Sequence, residues 1–223
     1  MPESSVNNNQ IQVMVVDDHP AMREGLAACI NRQPDMQMCC DAGDARSAMR
    51  LLKKHTPSVV VLDLSLKESD GLDLLKRMLF HMPALNVLVC SMHPEIPYGV
   101  RTIQNGAKGY VNKQSETAEI VEAIRTVANG ETYVNYRIQN AIAQAPSQAR
   151  GSKSGFGLEL LSDRELQVFQ HFGEGLSIDD IAKRIRLSKH TVETYRQRMK
   201  KKLQVKSNNE LICLASKWTL DLK

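Results

Sequence analysis

The chain has no apolar run approaching the ~18 residues that cross a bilayer. Its first residues, Met1-Pro2-Glu3-Ser4-Ser5, lack the basic stretch and apolar core of a secretory leader. A membrane span and export are therefore not expected, and the cytoplasm is the expected compartment. Five cysteines are present, Cys29, Cys39, Cys40, Cys90 and Cys213, an odd number with no C-x-x-C spacing. That argues against both a disulfide framework and a zinc site. The expected role of these thiols is that of small buried hydrophobes in a reducing environment. A P-loop, an H-E-x-x-H motif and a glycine-rich dinucleotide fingerprint are also missing.

What the chain does have is a normal share of apolar residues, 42% of 223, enough to pack a core. Its net charge of +4 is unevenly placed. Residues 1–130 carry 13 basic and 15 acidic side chains, whereas residues 151–223 carry 14 and 9. An acidic-leaning first part and a basic last part predict two domains, of which only the second invites a polyanion.

The first part alternates apolar runs with amphipathic stretches. The runs are 11–16, 36–40, 59–62, 87–90 and a short 109–111. Three are nearly continuous in Val, Ile and Leu, as strands buried on both faces of a parallel sheet require. Between them lie helix-length segments. One spans 71–81 with Leu72, Leu75 and Leu79 on one stripe. Another follows Ser115, with Ile120, Ala123, Ile124 and Val127 on one face and Glu116 and Glu119 in its first turn. Five βα units predict an α/β fold with a doubly wound, five-stranded parallel sheet over residues 10–130.

Residues 144–157 are rich in Gly, Ser and Pro, the composition of a flexible linker. With the ambiguous stretch before them they make a linker of 131–157. From residue 158 to 223 the pattern is helical only. Ser162-Asp163-Arg164-Glu165 and Ser207-Asn208-Asn209-Glu210 are capping boxes, and Ser177 and Ser188 are further caps. Four short helices make a small all-α domain.

In an open parallel sheet, ligands bind beyond the carboxyl ends of the strands. Asp17 and Asp18 follow the first run, Asp63 the third, Ser91 the fourth and Lys113 the fifth. Three carboxylates on one rim repel one another unless a cation joins them, and Mg²⁺ suits such a set. A carboxylate can then act as nucleophile toward a phosphoryl group, with a lysine and a hydroxyl meeting its oxygens. Each residue alone is ordinary at a strand end; the conjunction of all five carries the reading.

In the last part, residues 189–206 hold Lys189, Arg196, Arg198, Lys200, Lys201, Lys202 and Lys206 against the single acid Glu193. A basic run is often only a solvated face. Here it lies on the third helix of a small helical domain, after a short turn around Arg186-Leu187, as the second helix of a helix-turn-helix does.

Residues 11–130 resemble the receiver domain of two-component response regulators. The matching segments are Val15-Val16-Asp17-Asp18-His19, Val60-Val61-Leu62-Asp63-Leu64, Asp70-Gly71, Leu88-Val89-Cys90-Ser91 and Gly106 through Lys113. Residues 158–220 resemble the LuxR-type DNA-binding domain through Leu160-Leu161-Ser162-Asp163-Arg164-Glu165, Gly175-Leu176-Ser177, Ile181-Ala182, Leu187-Ser188 and Thr191 through Arg196. The whole is similar to the NarL/FixJ class of response regulators.

The resemblance implies the flavodoxin-like strand order 2-1-3-4-5, which obeys the same ligand rule. It implies that Asp63 is the phosphoacceptor and that Asp17, Asp18, Asp63 and the Ser65 carbonyl bind Mg²⁺. Lys113 and Ser91 would meet the phosphoryl group, and Ser91 with Tyr110 would form the switch. A histidine kinase or a small acyl phosphate would be the donor. In the second domain Val192 would pack inward. Glu193, Thr194 and Gln197 would face bases, and Lys189, Thr191, Tyr195, Arg198 and Lys201 would meet the backbone of double-stranded DNA. The protein is then a transcription factor and not a metabolic enzyme, acting as a homodimer. Leu211, Leu214 and Trp218 on the last helix serve either the dimer contact or the domain core.

Three positions depart from the receiver pattern. Lys67 and Gln114 stand where receivers commonly have proline, and Met92 stands where a small residue is usual. A non-proline cis bond costs ~3–4 kcal/mol, which bears on the peptide before Gln114. These departures favour one rival, a receiver fold kept for protein contacts and indifferent to phosphate. A phosphate hydrolase on the same rim would leave the helical domain unexplained. A small-molecule-sensing LuxR-type regulator would leave the strand-end aspartates unexplained.

Overall fold

The computed structural model describes residues 10–66, 70–148, 157–185 and 187–221. Lys67, Arg186 and the glycine- and serine-rich stretch 149–156 lie outside the described residues. The chain divides into two compact units, Met1–Ile142 and Ala143–Lys223.

The first unit is built on five parallel strands, β1 (Ile11–Val16), β2 (Met36–Ala42), β3 (Val59–Leu62), β4 (Asn86–Ser91) and β5 (Gly109–Asn112). Their order is β2-β1-β3-β4-β5. The continuous apolar character of the central strands has its cause here. Val13 to Val16 and Val59 to Leu62 are at most 1% exposed, because helices cover both faces. Alternate residues Val13, Val15, Val59, Val61, Leu88 and Cys90 join one core with Leu26, Ile30, Ile120 and Ile124. Those last four come from α1 (Pro20–Asn31) and α5 (Thr117–Ala128). The helices α2 (Ala45–His55), α3 (Gly71–His81) and α4 (Val100–Gln104) also belong to this unit. An irregular turn, Glu95–Gly99, in which Ile96 is extended, precedes α4.

Local chemistry sets the helix starts. Asp44 and Asp70 accept from the Ser47 and Leu72 amides, capping α2 and α3. For α5, Glu116 is the N-cap residue itself and only Glu119 lies in the first turn.

The stretch expected to begin the linker is part of the first unit. The Tyr133 carbonyl accepts from the Tyr110 amide at 2.9 Å, and the Tyr133 amide donates to the Lys108 carbonyl at 2.9 Å. Backbone pairing with the β5 edge thus continues past α5. The next helix, α6 (Tyr136–Gln148), buries Ile138 completely.

Beyond the end of α6 and a 3-10 turn at Leu158–Leu160, the described residues of the second unit form four helices, α7 (Asp163–Gly173), α8 (Ile178–Arg184), α9 (Lys189–Lys202) and α10 (Asn208–Asp221). The Ser162–Glu165 capping box is formed in full. The second box is altered: Ser207 accepts from the Glu210 amide, but the Glu210 carboxylate takes the amide of Lys206. Leu211, Ala215 and Trp218 are buried, and Trp218 lies 5.7 Å from Phe169 between ring centres. Leu211 and Trp218 therefore close the core, while Leu214 is half-buried.

Candidate functional site

The carboxyl ends of β1, β3, β4 and β5 bring the five rim residues together. Asp17 follows β1, and its amide donates to the Ala42 carbonyl at the end of β2. Asp63 follows β3, and its amide donates to Val16 at 2.8 Å, which ties the two carboxylate-bearing strand ends. Ser91 closes β4, and its carbonyl accepts from the Lys113 amide at 3.1 Å. Gly71 permits the close approach of α3 to this rim. A Cβ there would stand 2.4 Å from the Leu64 Cα and 2.6 Å from the Asp63 carbonyl oxygen.

Side-chain geometry then follows from burial. Asp17, Asp18, Asp63 and Ser91 are all buried. The Lys113 Nζ lies 2.7 Å from Asp17 Oδ2 and 2.8 Å from Asp63 Oδ2. Burial works to lower the Lys113 pKa, yet the charges and hydrogen bonds of Asp63 and Asp17 outweigh it and hold the ammonium above the ordinary lysine range. His19 Nδ1 lies 2.7 Å from Asp18 Oδ1. Ligand atoms of Asp17, Asp18, His19 and Asp63 all fall within 4.8 Å of one another. Asp63 Oδ1 is buried and has no hydrogen-bond partner. A buried carboxylate oxygen left in that state is costly unless a cation or donor reaches it, so the donor set fits a hard divalent ion.

Tyr110 is also buried, and burial first, then the nearby Tyr98 and Glu95, push its phenol far above the usual range. Its hydroxyl donates to the His93 carbonyl at 2.6 Å. His93 itself escaped the sequence reading, since one histidine in a loop after a strand carries no pattern. Its Nε2 lies 3.1 Å from Ser65 Oγ, and its ring stacks on Tyr98 at 4.2 Å. Arg23 was missed as well; it donates to the Asp17 carbonyl and pairs with Asp41, both at 2.7 Å. Met92 points outward, 54% exposed. The only cis peptide among the described residues is Ile96-Pro97, so the bond before Gln114 is trans.

On α9, Val192 and Met199 face inward. Lys189, Gln197, Arg198 and Lys201 are exposed, and Thr191, Glu193, Thr194 and Tyr195 are half-buried. Several of these side chains are engaged within the domain. Lys189 pairs with Asp179 at 2.7 Å, and Thr194 donates to the His190 carbonyl. Glu193 receives Arg196 at 2.6 Å and Gln197 at 3.0 Å. The Arg196 hydrogen bond, with Gln197 and the charge of Arg196 assisting, holds the Glu193 carboxyl below the usual range. Among the described residues no helix is long and apolar enough to cross a membrane.

Comparison with known proteins agrees with both halves of this geometry. Residues 13–125 match the response regulator receiver domain, and residues 159–215 match the bacterial regulatory proteins of the luxR family. The oxygen regulatory protein NreC of Staphylococcus epidermidis is 31% identical over 212 residues, covering 93% of this chain and 97% of that protein. The response regulator GacA of Pseudomonas syringae pv. syringae is 32% identical over 205 residues, covering 92% and 95%. Among solved structures, a LuxR-family two-component response regulator from Aurantimonas sp. SI85-9A1 is 33% identical with a TM-score of 0.57, covering 62% of this chain and 99% of that one. With a receiver rim in one unit and a recognition-type helix in the other, the chain belongs to the two-component response regulators of the NarL/FixJ type, transcription factors that join a receiver domain to a LuxR-type DNA-binding domain.

Proposed function

We propose that phosphorylation of Asp63 controls sequence-specific binding of double-stranded DNA by α9, with the active form a homodimer. The observation that carries the reading is the Lys113 ammonium held between Asp17 and Asp63 in a buried rim. An Asp63 carboxylate oxygen attacks phosphorus, and the bond from phosphorus to the leaving imidazole or acyl oxygen breaks. The donor is a histidine kinase or a small acyl phosphate. Lys113 meets the transferred oxygens as a point charge, and the Ser91 hydroxyl donates to them. Asp17, Asp18, Asp63 and the Ser65 carbonyl would hold Mg²⁺, which neutralises phosphoryl charge when bound. Ser91 and Tyr110 form the switch.

In the second unit, Glu193, Thr194 and Gln197 face base edges. Lys189, Thr191, Tyr195, Arg198 and Lys201 meet the phosphodiester backbone and supply sequence-independent affinity. The inward position of Val192 supports this assignment, because it turns the polar side of α9 to solvent. The receiver is proposed to occupy 10–130 with the edge segment to residue 142 packed on it, and the DNA-binding domain 158–223. The cytoplasm, where DNA and donor both are, is the proposed compartment.

The test is labelling by radioactive acetyl phosphate, followed by sedimentation with beryllofluoride. Mg²⁺-dependent label on the wild type, absent from Asp63→Ala, and a larger sedimenting species with beryllofluoride support the reading. A wild type that takes no label points to a receiver kept for protein contacts alone.

A further inference from the structure

Ser91 and Tyr110 do not simply face each other across the rim; both end on the same residue. The His93 amide donates to Ser91 Oγ at 3.3 Å, and the His93 carbonyl accepts from the Tyr110 hydroxyl at 2.6 Å. The side chain is anchored twice more. Nε2 lies 3.1 Å from the hydroxyl of Ser65, two residues beyond Asp63, and the ring stacks on Tyr98 at 4.2 Å with planes 18° apart.

The far side of Tyr110 leads out of the receiver. A Cβ on Gly99 would stand 2.5 Å from Ile138 Cδ1 and 3.3 Å from Tyr110 Cγ, so both side chains pack on the bare face of that glycine. Ile138 is fully buried and belongs to α6, the helix through which the chain leaves this unit. The Tyr110 amide is bonded to the Tyr133 carbonyl just before α6.

We propose that His93 is the positioning residue through which the state of Asp63 reaches Ile138 and α6. This rests on Asp63 being the phosphoacceptor, as argued above. A buried phenol that loses its acceptor is left with an unsatisfied donor, which is costly, so Tyr110 follows the His93 carbonyl rather than moving alone. When the Ser91 hydroxyl turns to an oxygen on Asp63, it releases the His93 amide, and a group on Asp63 crowds the Ser65 loop. Two ties of His93 are altered together, its carbonyl shifts, and Tyr110 and Ile138 repack around Gly99. A packed cluster of this kind changes between discrete arrangements rather than by smooth drift.

The experiment uses the full chain with ¹³C-labelled isoleucine δ1-methyl groups, Mg²⁺ and beryllofluoride. The ¹⁹F signal of bound beryllofluoride reads loading, and the Ile138 methyl resonance, assigned with Ile138→Val, reads the relay. In the wild type, loading shifts the Ile138 methyl. His93→Phe keeps the ring on Tyr98 but not the Ser65 bond, and at equal loading it retains only part of that shift. His93→Ala loses most of it. A purely structural role would leave the shift tracking loading in all three. The proposal falls if His93→Ala, or His93→Phe should the alanine variant not fold, loads and shows the full wild-type shift. It also falls if the wild type loads and Ile138 does not move. Absence of loading in the wild type is a different result, which removes the phosphoacceptor reading and the relay with it.

Discussion

Glu165 Oε2 accepts from Lys202 Nζ at 2.6 Å, so the capping glutamate of α7 also holds the last turn of α9, 37 residues away. The same oxygen accepts from the Ser162 amide at 2.7 Å. Burial alone would raise the Glu165 pKa, but the bonds from Lys202 and Ser162 outweigh it and lower it. With the folded value below the unfolded one, the stabilisation is complete above the ordinary glutamate pKa near ~4.3 and disappears as pH falls through the lowered folded value. Lys202 is 39% exposed, so the pair is discounted for solvent screening. Glu165→Ala is expected to cost about 1–2 kcal/mol near neutral pH, and less in acid. Trp218, the only tryptophan in the chain, packs in this unit and reports the urea transition by fluorescence.

Gly71→Ala tests how the rim is positioned. The added methyl would meet the Leu64 and Asp63 backbone, not a flexible side-chain end, so the loop after β3 must shift. A loss of about 1–3 kcal/mol is expected. Because Asp63 lies in that loop, acetyl phosphate labelling should fall more than stability alone explains. Labelling at wild-type rate in a folded Gly71→Ala protein would show that the close approach is not needed for the site.

The fold was legible where burial leaves a compositional trace, as in Val59 to Leu62 and the stripe of α5. The rim was legible because each chemical residue stands within two positions of the end of such a run. The continuation at the β5 edge was not. Tyr133 joins it through backbone atoms, and backbone pairing over a few residues leaves no alternation to read. Ile138 was hidden for a related reason, because one buried residue in a stretch that runs into a linker composition sets no period to read. His93 is held by two backbone bonds, one hydroxyl and one stack, none of which depends on a sequence pattern. Glu210 shows a finer limit, since its spacing from Ser207 predicted a reciprocal box and the carboxylate reached one residue further back.

Metal addition tests the acidic rim independently of phosphate. Binding to the folded receiver alone stabilises it by about 2.7 kcal/mol at a hundredfold excess over Kd. Mg²⁺ should therefore raise the thermal midpoint of the first unit, and chelation should reverse it. Asp63→Ala should respond much less, because it removes the carboxylate whose buried Oδ1 has no protein partner. An equal response in the variant would place the ion elsewhere.

The cysteines differ in expected reactivity. Burial, then the charge of Cys39, pushes Cys40 up to about 12, and burial also raises Cys39. Cys90, buried behind the rim, is pushed up to about 12 by desolvation. Cys213 is exposed. Since the thiolate is the reacting species, iodoacetamide near neutral pH should modify Cys213 at least ~10-fold faster than Cys40 or Cys90. Peptide mass mapping over time would check the order, and early modification of Cys40 would contradict the packing of β2.

Glu193 places a carboxylate on the face of α9 proposed to meet DNA, where it repels phosphate and also occupies Arg196 and Gln197. Replacing it with alanine removes the repulsion and frees both partners. Affinity for non-specific duplex is expected to rise several-fold at low salt. If freed Arg196 then takes one more phosphate, the slope of log K against log salt should steepen by ~0.9. Glutamate can also accept from a cytosine amino group. In that case the same change should weaken binding to the preferred operator while strengthening binding elsewhere, so the specificity ratio falls by more than either affinity suggests. Fluorescence anisotropy over a salt series, on a selected operator and a scrambled duplex, separates the two effects. Equal gains on both sequences would mean that Glu193 repels phosphate and reads no base.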